Sequence, residues 1–152
     1  MDLVLWRHAQ AQVEPVADDL ARRLTTKGER QADRMAAWLN QRLPNTARIL
    51  VSPAQRTQQT AQALARAFKT VEVLAPVASV DDVLQAARWP DTKDTVLLVG
   101  HQPTLGMVAA RLMTGQDLPW SIRKGAVWWL RGRELEGALV VTLQAVQSPD
   151  FL

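Results

Sequence analysis

Short apolar runs, each cut off by polar residues and most followed by a stretch with a helical period, set the pattern of this chain. The first is Leu3 to Trp6, which stops at Arg7-His8-Ala9. A continuous apolar run of this length predicts a strand covered on both faces, as in parallel sheets. Arg48 to Val51, Val71 to Leu74 and Thr95 to Val99 repeat the design. Between them, a loop from Gln10 to Leu24 holds Pro15 and the acidic pair Asp18 and Asp19. The spacing of Thr26 and Glu29 then predicts a capping box, with Ala32, Met35, Ala36, Leu39 and Leu43 on one helical face and Leu43-Pro44-Asn45 as the stop. Ser52 as N-cap, Pro53 at the first helical position and Gln55 predict a second helix that buries Ala61, Leu64, Ala65 and Phe68. A third helix is expected from about Asp81 to Arg88, before Trp89-Pro90. A fourth carries Leu105, Val108, Ala109 and Leu112, with Gly115 beyond its end. Ala126 to Leu130 and Ala138 to Val146 predict two more strands around a turn-rich Arg131 to Gly137.

Strands that alternate with helical crossovers are parallel and place their carboxyl ends along one edge. The expectation is an α/β fold, a single three-layer α/β/α domain over residues 1–152. Its central sheet is mostly parallel, with an antiparallel strand near the C-terminus. At 152 residues such a domain buries roughly two-thirds of its unfolded surface and needs no staples. The absence of cysteine removes disulfides and thiolate metal sites and fits a reducing compartment. No apolar run is long enough to span a bilayer and the start lacks the layout of a signal peptide, so a cytoplasmic protein without membrane contact is expected. The net charge of +3 is modest, and its cations are interspersed with acids, which gives no nucleic-acid footprint. With two histidines in the whole chain, a histidine-rich metal centre is not expected.

The polar residues at the strand ends then become the centre of interest. In open α/β sheets ligands sit outside the carboxyl ends of the strands. That edge is expected to carry Arg7 and His8 after the first strand, Arg56 after the second and His101 after the fourth. Each alone is compatible with a solvated turn. Arg56 is the exception in its placement, because a cation in the first turn of a helix opposes the dipole by about 0.3 to 1 kcal/mol unless an anion binds there or its stem swings into water. Together, both histidines of the chain and two arginines at one edge point to a phosphoryl or other oxyanion site. Arginine offers a rigid fork that matches phosphate oxygens and keeps its charge. A neutral imidazole is a competent nucleophile near pH 7, and a second can hydrogen-bond the phosphoryl group. Two guanidinium groups also supply the electrostatic stabilisation that a metal would otherwise provide, so no metal and no cofactor are expected.

Arg7-His8-Ala9, Leu24 to Gly28 (LTTKG), Ser52-Pro53 through Arg56 to Thr60-Ala61 (SPAQRTQQTA) and Val99 to Pro103 (VGHQP) stand in the order and at the spacings of the motifs of the histidine phosphatase superfamily. The chain resembles that family, and its small size and LTTKG segment are most similar to the SixA-type phosphohistidine phosphatases. The resemblance implies a phosphoglycerate mutase-like fold. It also implies that His8 is transiently phosphorylated, that Arg7 and Arg56 bind the phosphoryl oxygens and that His101 stabilises the transition state, all four residues contacting the phosphate. Two departures stand out. Ala9 replaces the glycine of many members. No carboxylic acid is evident to protonate an ester leaving group, Asp81 and Asp82 being placed at a helix start where acids are ordinary dipole partners.

Two classes of function fit these residues. One is an enzyme that removes phosphoryl groups from phosphohistidine on a signalling or phosphotransfer protein, acting as a monomer. The other is a phosphoprotein-binding module that has kept the pocket and lost turnover. Retention of both histidines favours the enzyme, since the arginines suffice for binding. Within the enzyme class, a small-molecule phosphomonoesterase is the alternative.

Overall fold

The computed structural model of the chain describes residues 1–13 and 18–152. Pro15, expected in the loop after the first strand, lies outside them. A six-stranded sheet in the order β3-β2-β4-β1-β5-β6 forms the middle layer. Its strands are β1 (Asp2–Arg7), β2 (Arg48–Val51), β3 (Lys69–Thr70), β4 (Val96–Gly100), β5 (Val127–Leu135) and β6 (Ala138–Gln147). β1, β2, β3 and β4 are parallel, and β5 and β6 join antiparallel beside β1. The mostly parallel sheet with an antiparallel C-terminal addition is thus the architecture expected from the strand–helix alternation.

Among the described residues, four α-helices flank it: α1 (Thr26–Asn40), α2 (Gln55–Gln62), α3 (Val80–Ala87) and α4 (Thr104–Thr114). The apolar runs are continuous because both faces of each central strand are buried, and alternate residues serve opposite layers. Leu3, Leu5, Leu50, Val96 and Leu98 pack with Val80, Val83, Leu105 and Val108 of α3 and α4. Val4, Trp6, Ile49, Val51, Leu97 and Val99 pack with Met35, Leu39 and Ala61 of α1 and α2 on the other side. Each such side chain contributes roughly 1.5 to 3 kcal/mol by leaving water. A one-residue slip of β1 would put Trp6 and Val4 in the wrong layer, so the register that brings the strand ends level is strongly specified.

Local structure departs from the sequence pattern in five places. The cap of α1 is Thr25, one residue earlier than Thr26, and its hydroxyl accepts from Gly28 N at 3.0 Å. Thr25 is held extended by its own N–H to the Gln10 carbonyl, and Gly28 is required because a Cβ there would lie 2.0 Å from that same carbonyl oxygen. Ser52 does not cap α2, which starts at Gln55 after Ala54; its hydroxyl is engaged by a histidine described below. α2 also ends at Gln62, leaving Ala65 exposed with φ of 53° and Phe68 only partly buried. Val71 to Leu74 is not a strand. β3 is limited to Lys69–Thr70, and the chain then makes a 3-10 turn that buries Leu74 beside α3 while Val73 stays 45% exposed. Arg131 to Leu135 continue β5 instead of turning: this end of the hairpin is solvated, so β5 there takes the polar Arg131, Arg133 and Glu134, which read as a turn. The reversal is confined to Glu136-Gly137, both at positive φ (52° and 82°), the form a two-residue hairpin turn takes.

Candidate active site

β1, β2 and β4 are in register so that Arg7 lies opposite Gly100 and Val51 opposite Val99. The residues that follow therefore emerge side by side: His8 after β1, Ser52 after β2 and His101 after β4. Backbone bonds fix the level, with His8 N donating to Gly100 O at 3.1 Å and Ser52 N to Val99 O at 3.1 Å. The rings of His8 and His101 stand 5.4 Å apart between centroids, tilted by 55°. Both are buried, at 8% and 4% exposure. Arg56 enters from the first turn of α2 and is 3% exposed, so its stem does not swing into water. The four residues singled out from the sequence are all at this one edge.

Each side chain is held by a neighbour that fixes its role. His8 Nδ1 lies 2.7 Å from the Ala9 carbonyl oxygen. A carbonyl can only accept, so Nδ1 carries the ring proton and Nε2 presents a free lone pair. Ala9 N donates to Thr60 Oγ1 at 3.1 Å and Thr60 donates to the Arg56 carbonyl at 2.7 Å, which ties the end of β1 to α2. Arg7 Nη1 donates to Ile122 O at 2.9 Å. His101 Nε2 sits 2.7 Å from Ser52 Oγ, which also accepts from Ala54 N at 3.3 Å. No other acceptor receives the Ser52 hydroxyl proton among the described residues; donated to Nε2, it places the His101 ring proton on Nδ1. Gln102 accepts from Gly106 N at 2.7 Å and donates to Trp120 O at 3.0 Å, so it serves α4 and not the pocket.

The donors left over define what the pocket can hold. Among the described residues, the buried side-chain atoms without a hydrogen-bond partner include Arg7 Nε, Arg56 Nε and His101 Nδ1. All three belong to this edge and all three are donors. Buried unsatisfied donors are costly, roughly 1 to 3 kcal/mol each, and an oxyanion with several lone pairs would satisfy them together. Electrostatics agrees. Burial, followed by the charges of Arg56, Arg7 and Arg22, pushes His8 down to about 4 against the opposing pull of its bond to Ala9. Burial, followed by His8 and Arg56, pushes His101 down to about 3. Both rings are neutral at pH 7 while the arginines stay charged, so an unprotonated imidazole nitrogen of His8 stands at an edge that carries two cations.

The sequence pattern missed two residues of this edge, Ser52, which it offered as a cap, and Asp19. Asp19, read as half of an acidic pair in a loop, accepts from Arg56: Nη2 bonds its Oδ2 at 3.0 Å and Nη1 its carbonyl oxygen at 2.9 Å. Arg22 Nε bonds the other carboxylate oxygen at 2.9 Å. The available signal was Arg56 itself, since a buried cation in the first turn of a helix demands a counter-charge. Asp81 and Asp82 are not at the pocket. Asp82 completes the capping box of α3 with Ser79, and Asp81 pairs with Arg111.

Comparison with known proteins gives a consistent result. The model of the histidine phosphatase superfamily (branch 1) matches residues 3–78. A phosphohistidine phosphatase SixA homolog of Haemophilus influenzae is 34% identical over 128 residues, 74% of this chain and 77% of that protein. Phosphohistidine phosphatase SixA of Escherichia coli is 31% identical over 128 residues, 78% of each chain. The solved structure of the protein histidine phosphatase SixA complexed with tungstate superposes with a TM-score of 0.82 at 28% identity, covering 99% of both chains.

Proposed function

The chain belongs to the histidine phosphatase superfamily, and from that premise we propose that it is a phosphatase that hydrolyses phosphohistidine on a protein of the phosphotransfer type, through a phosphoryl group carried on His8. Arg7 Nε, Arg56 Nε and His101 Nδ1 would hold the phosphoryl oxygens, and His8 Nε2 would attack phosphorus as the substrate P–N bond breaks. The departing imidazole leaves neutral when its other nitrogen is protonated. Water then attacks the phospho-His8, and orthophosphate and neutral His8 are regenerated. The guanidinium charges stabilise the transferring group without a metal. No helix among the described residues is long and apolar enough to cross a membrane, and we propose a cytoplasmic monomer.

The observation that carries this reading is the set of three unclaimed donors beside a histidine whose Nε2 is unprotonated. The substrate class rests on the carboxylates of the described residues. Asp81 and Asp82 are engaged elsewhere. Burial would raise the Asp19 carboxyl, but hydrogen bonds from Arg22 and Arg56 outweigh it and hold the group below its ordinary value, so it is ionised and cannot protonate a leaving group. An alkoxide leaving group forgoes the 10²- to 10⁴-fold that general acid catalysis typically supplies, whereas protonated phosphohistidine brings its own activation. This disfavours the phosphomonoesterase. Hydrolysis of a phosphohistidine protein and of an alkyl phosphate should be compared side by side. Strong preference for the first is expected; efficient hydrolysis of an unactivated sugar phosphate would overturn the assignment.

A further inference from the structure

The contact between Asp19 and Arg56 is built more firmly than ordinary charge neutralisation requires. One residue clamps both terminal nitrogens of the guanidinium, its carboxylate taking Nη2 and its backbone carbonyl taking Nη1. Two acceptors on a rigid plane fix its rotation as well as its position. They also leave Nε, the buried atom without a partner among the described residues, as the donor to be aimed. The carboxylate is 57% exposed and would move freely were it not anchored. Arg22 Nε bonds its second oxygen at 2.9 Å, and Arg22 Nη1 bonds Gln12 O at 2.9 Å. Asp18 caps the same 3-10 turn by accepting from Leu20 N. A surface turn is thus braced from three directions against a buried arginine on another element.

We infer that Asp19 is a positioning residue for phosphoryl binding: it sets the plane of the Arg56 guanidinium so that Nε–H faces the oxyanion, and Arg22 holds it in place. The inference rests on the reading of this edge as a phosphoryl site. It makes a claim opposite in sign to simple electrostatics. Removing a negative charge beside an anion site should tighten anion binding if Asp19 acts only through its charge. Removing the clamp should weaken binding, because misaligning a charge-assisted hydrogen bond to the anion costs on the order of 10- to 100-fold in affinity.

The test is calorimetric titration of the full chain with inorganic phosphate at pH 7.5, comparing wild type with Asp19→Ala and Asp19→Asn, with thermal melting to show that each variant is folded. Asp19→Ala is expected to raise the phosphate Kd by roughly 10- to 100-fold. Asp19→Asn keeps one side-chain acceptor and the backbone carbonyl, and should lose less than the alanine variant while still binding more weakly than wild type. If the alanine variant does not fold, weaker binding by Asp19→Asn supports the inference on its own. Phosphate binding as tight as wild type or tighter, in either folded variant, would overturn the inference. The readout is independent of turnover: a wild-type chain that binds phosphate but does not cleave phosphohistidine would sink the functional reading and leave this one standing.

Discussion

Lowering the pH from 7 to 5 should cost the folded chain about 4 kcal/mol through its two histidines alone. In the unfolded chain both titrate near the ordinary value of about 6.5. In the folded chain His8 is held down at about 4 and His101 at about 3. Both are depressed, so the unfolded state binds more protons between these limits and stability falls as pH falls. The contribution is complete above pH 6.5, erodes below it, and is fully lost only once the folded rings themselves take up protons. Near pH 5 the two sites together give a slope of between about 2 and 3 kcal/mol per pH unit, and integration from pH 7 to pH 5 gives about 2 kcal/mol for each ring. Depressed carboxylates such as Asp2, Asp19 and Asp117 do not confuse this window, because they are held below 3.8 and titrate beneath it. The assay is urea denaturation at pH 7 and pH 5, at constant ionic strength in a buffer free of phosphate, on wild type and on His8→Ala and His101→Ala. Each variant should lose about half of the pH dependence. Equal wild-type stability at the two pH values, or full pH dependence in both variants, would refute the claim that the rings are buried neutral.

Three further outcomes follow from the site. His8→Ala should abolish turnover of a phosphohistidine protein while still binding inorganic phosphate by calorimetry, whereas Arg56→Ala should weaken phosphate binding and rate together. Ser52→Ala leaves His101 Nε2 without its partner, and with about 1 to 3 kcal/mol at stake kcat should fall roughly 5- to 150-fold; an unchanged kcat would remove Ser52 from the site. Asp81→Asn and Asp82→Asn should leave the rate of phosphohistidine hydrolysis essentially as in wild type. Asp82→Asn should lower stability by about 0.5 to 1 kcal/mol through the weakened cap of α3, read as a shifted urea midpoint.

The layers of the fold were legible because the central strands are buried on both faces and so print uninterrupted apolar runs, from Leu3 to Trp6 and from Val96 to Val99. The strand ends followed from them, and with them Arg7, His8, Arg56 and His101. What stayed hidden depends on contacts distant in sequence. Ser52 has every local property of a cap, yet its hydroxyl goes to a ring 49 positions away. Thr25 caps α1 in place of Thr26 because Gln10 holds it extended. Asp19 belongs to the site only because α2 brings Arg56 to it across 37 positions. The two-residue β3 shows the same limit: Leu74 is apolar for the sake of the layer beside α3, and an apolar run does not say which element buries it.

Covalent catalysis through His8 is tested head-on by rapid-quench trapping with a ³²P-labelled phosphohistidine protein, followed by peptide mapping of the chain. A transient, acid-labile and base-stable label is expected on the peptide that contains His8, absent in His8→Ala and decaying as orthophosphate appears. Turnover at the wild-type rate with no label on His8, or with the label retained in His8→Ala, would contradict the proposed mechanism.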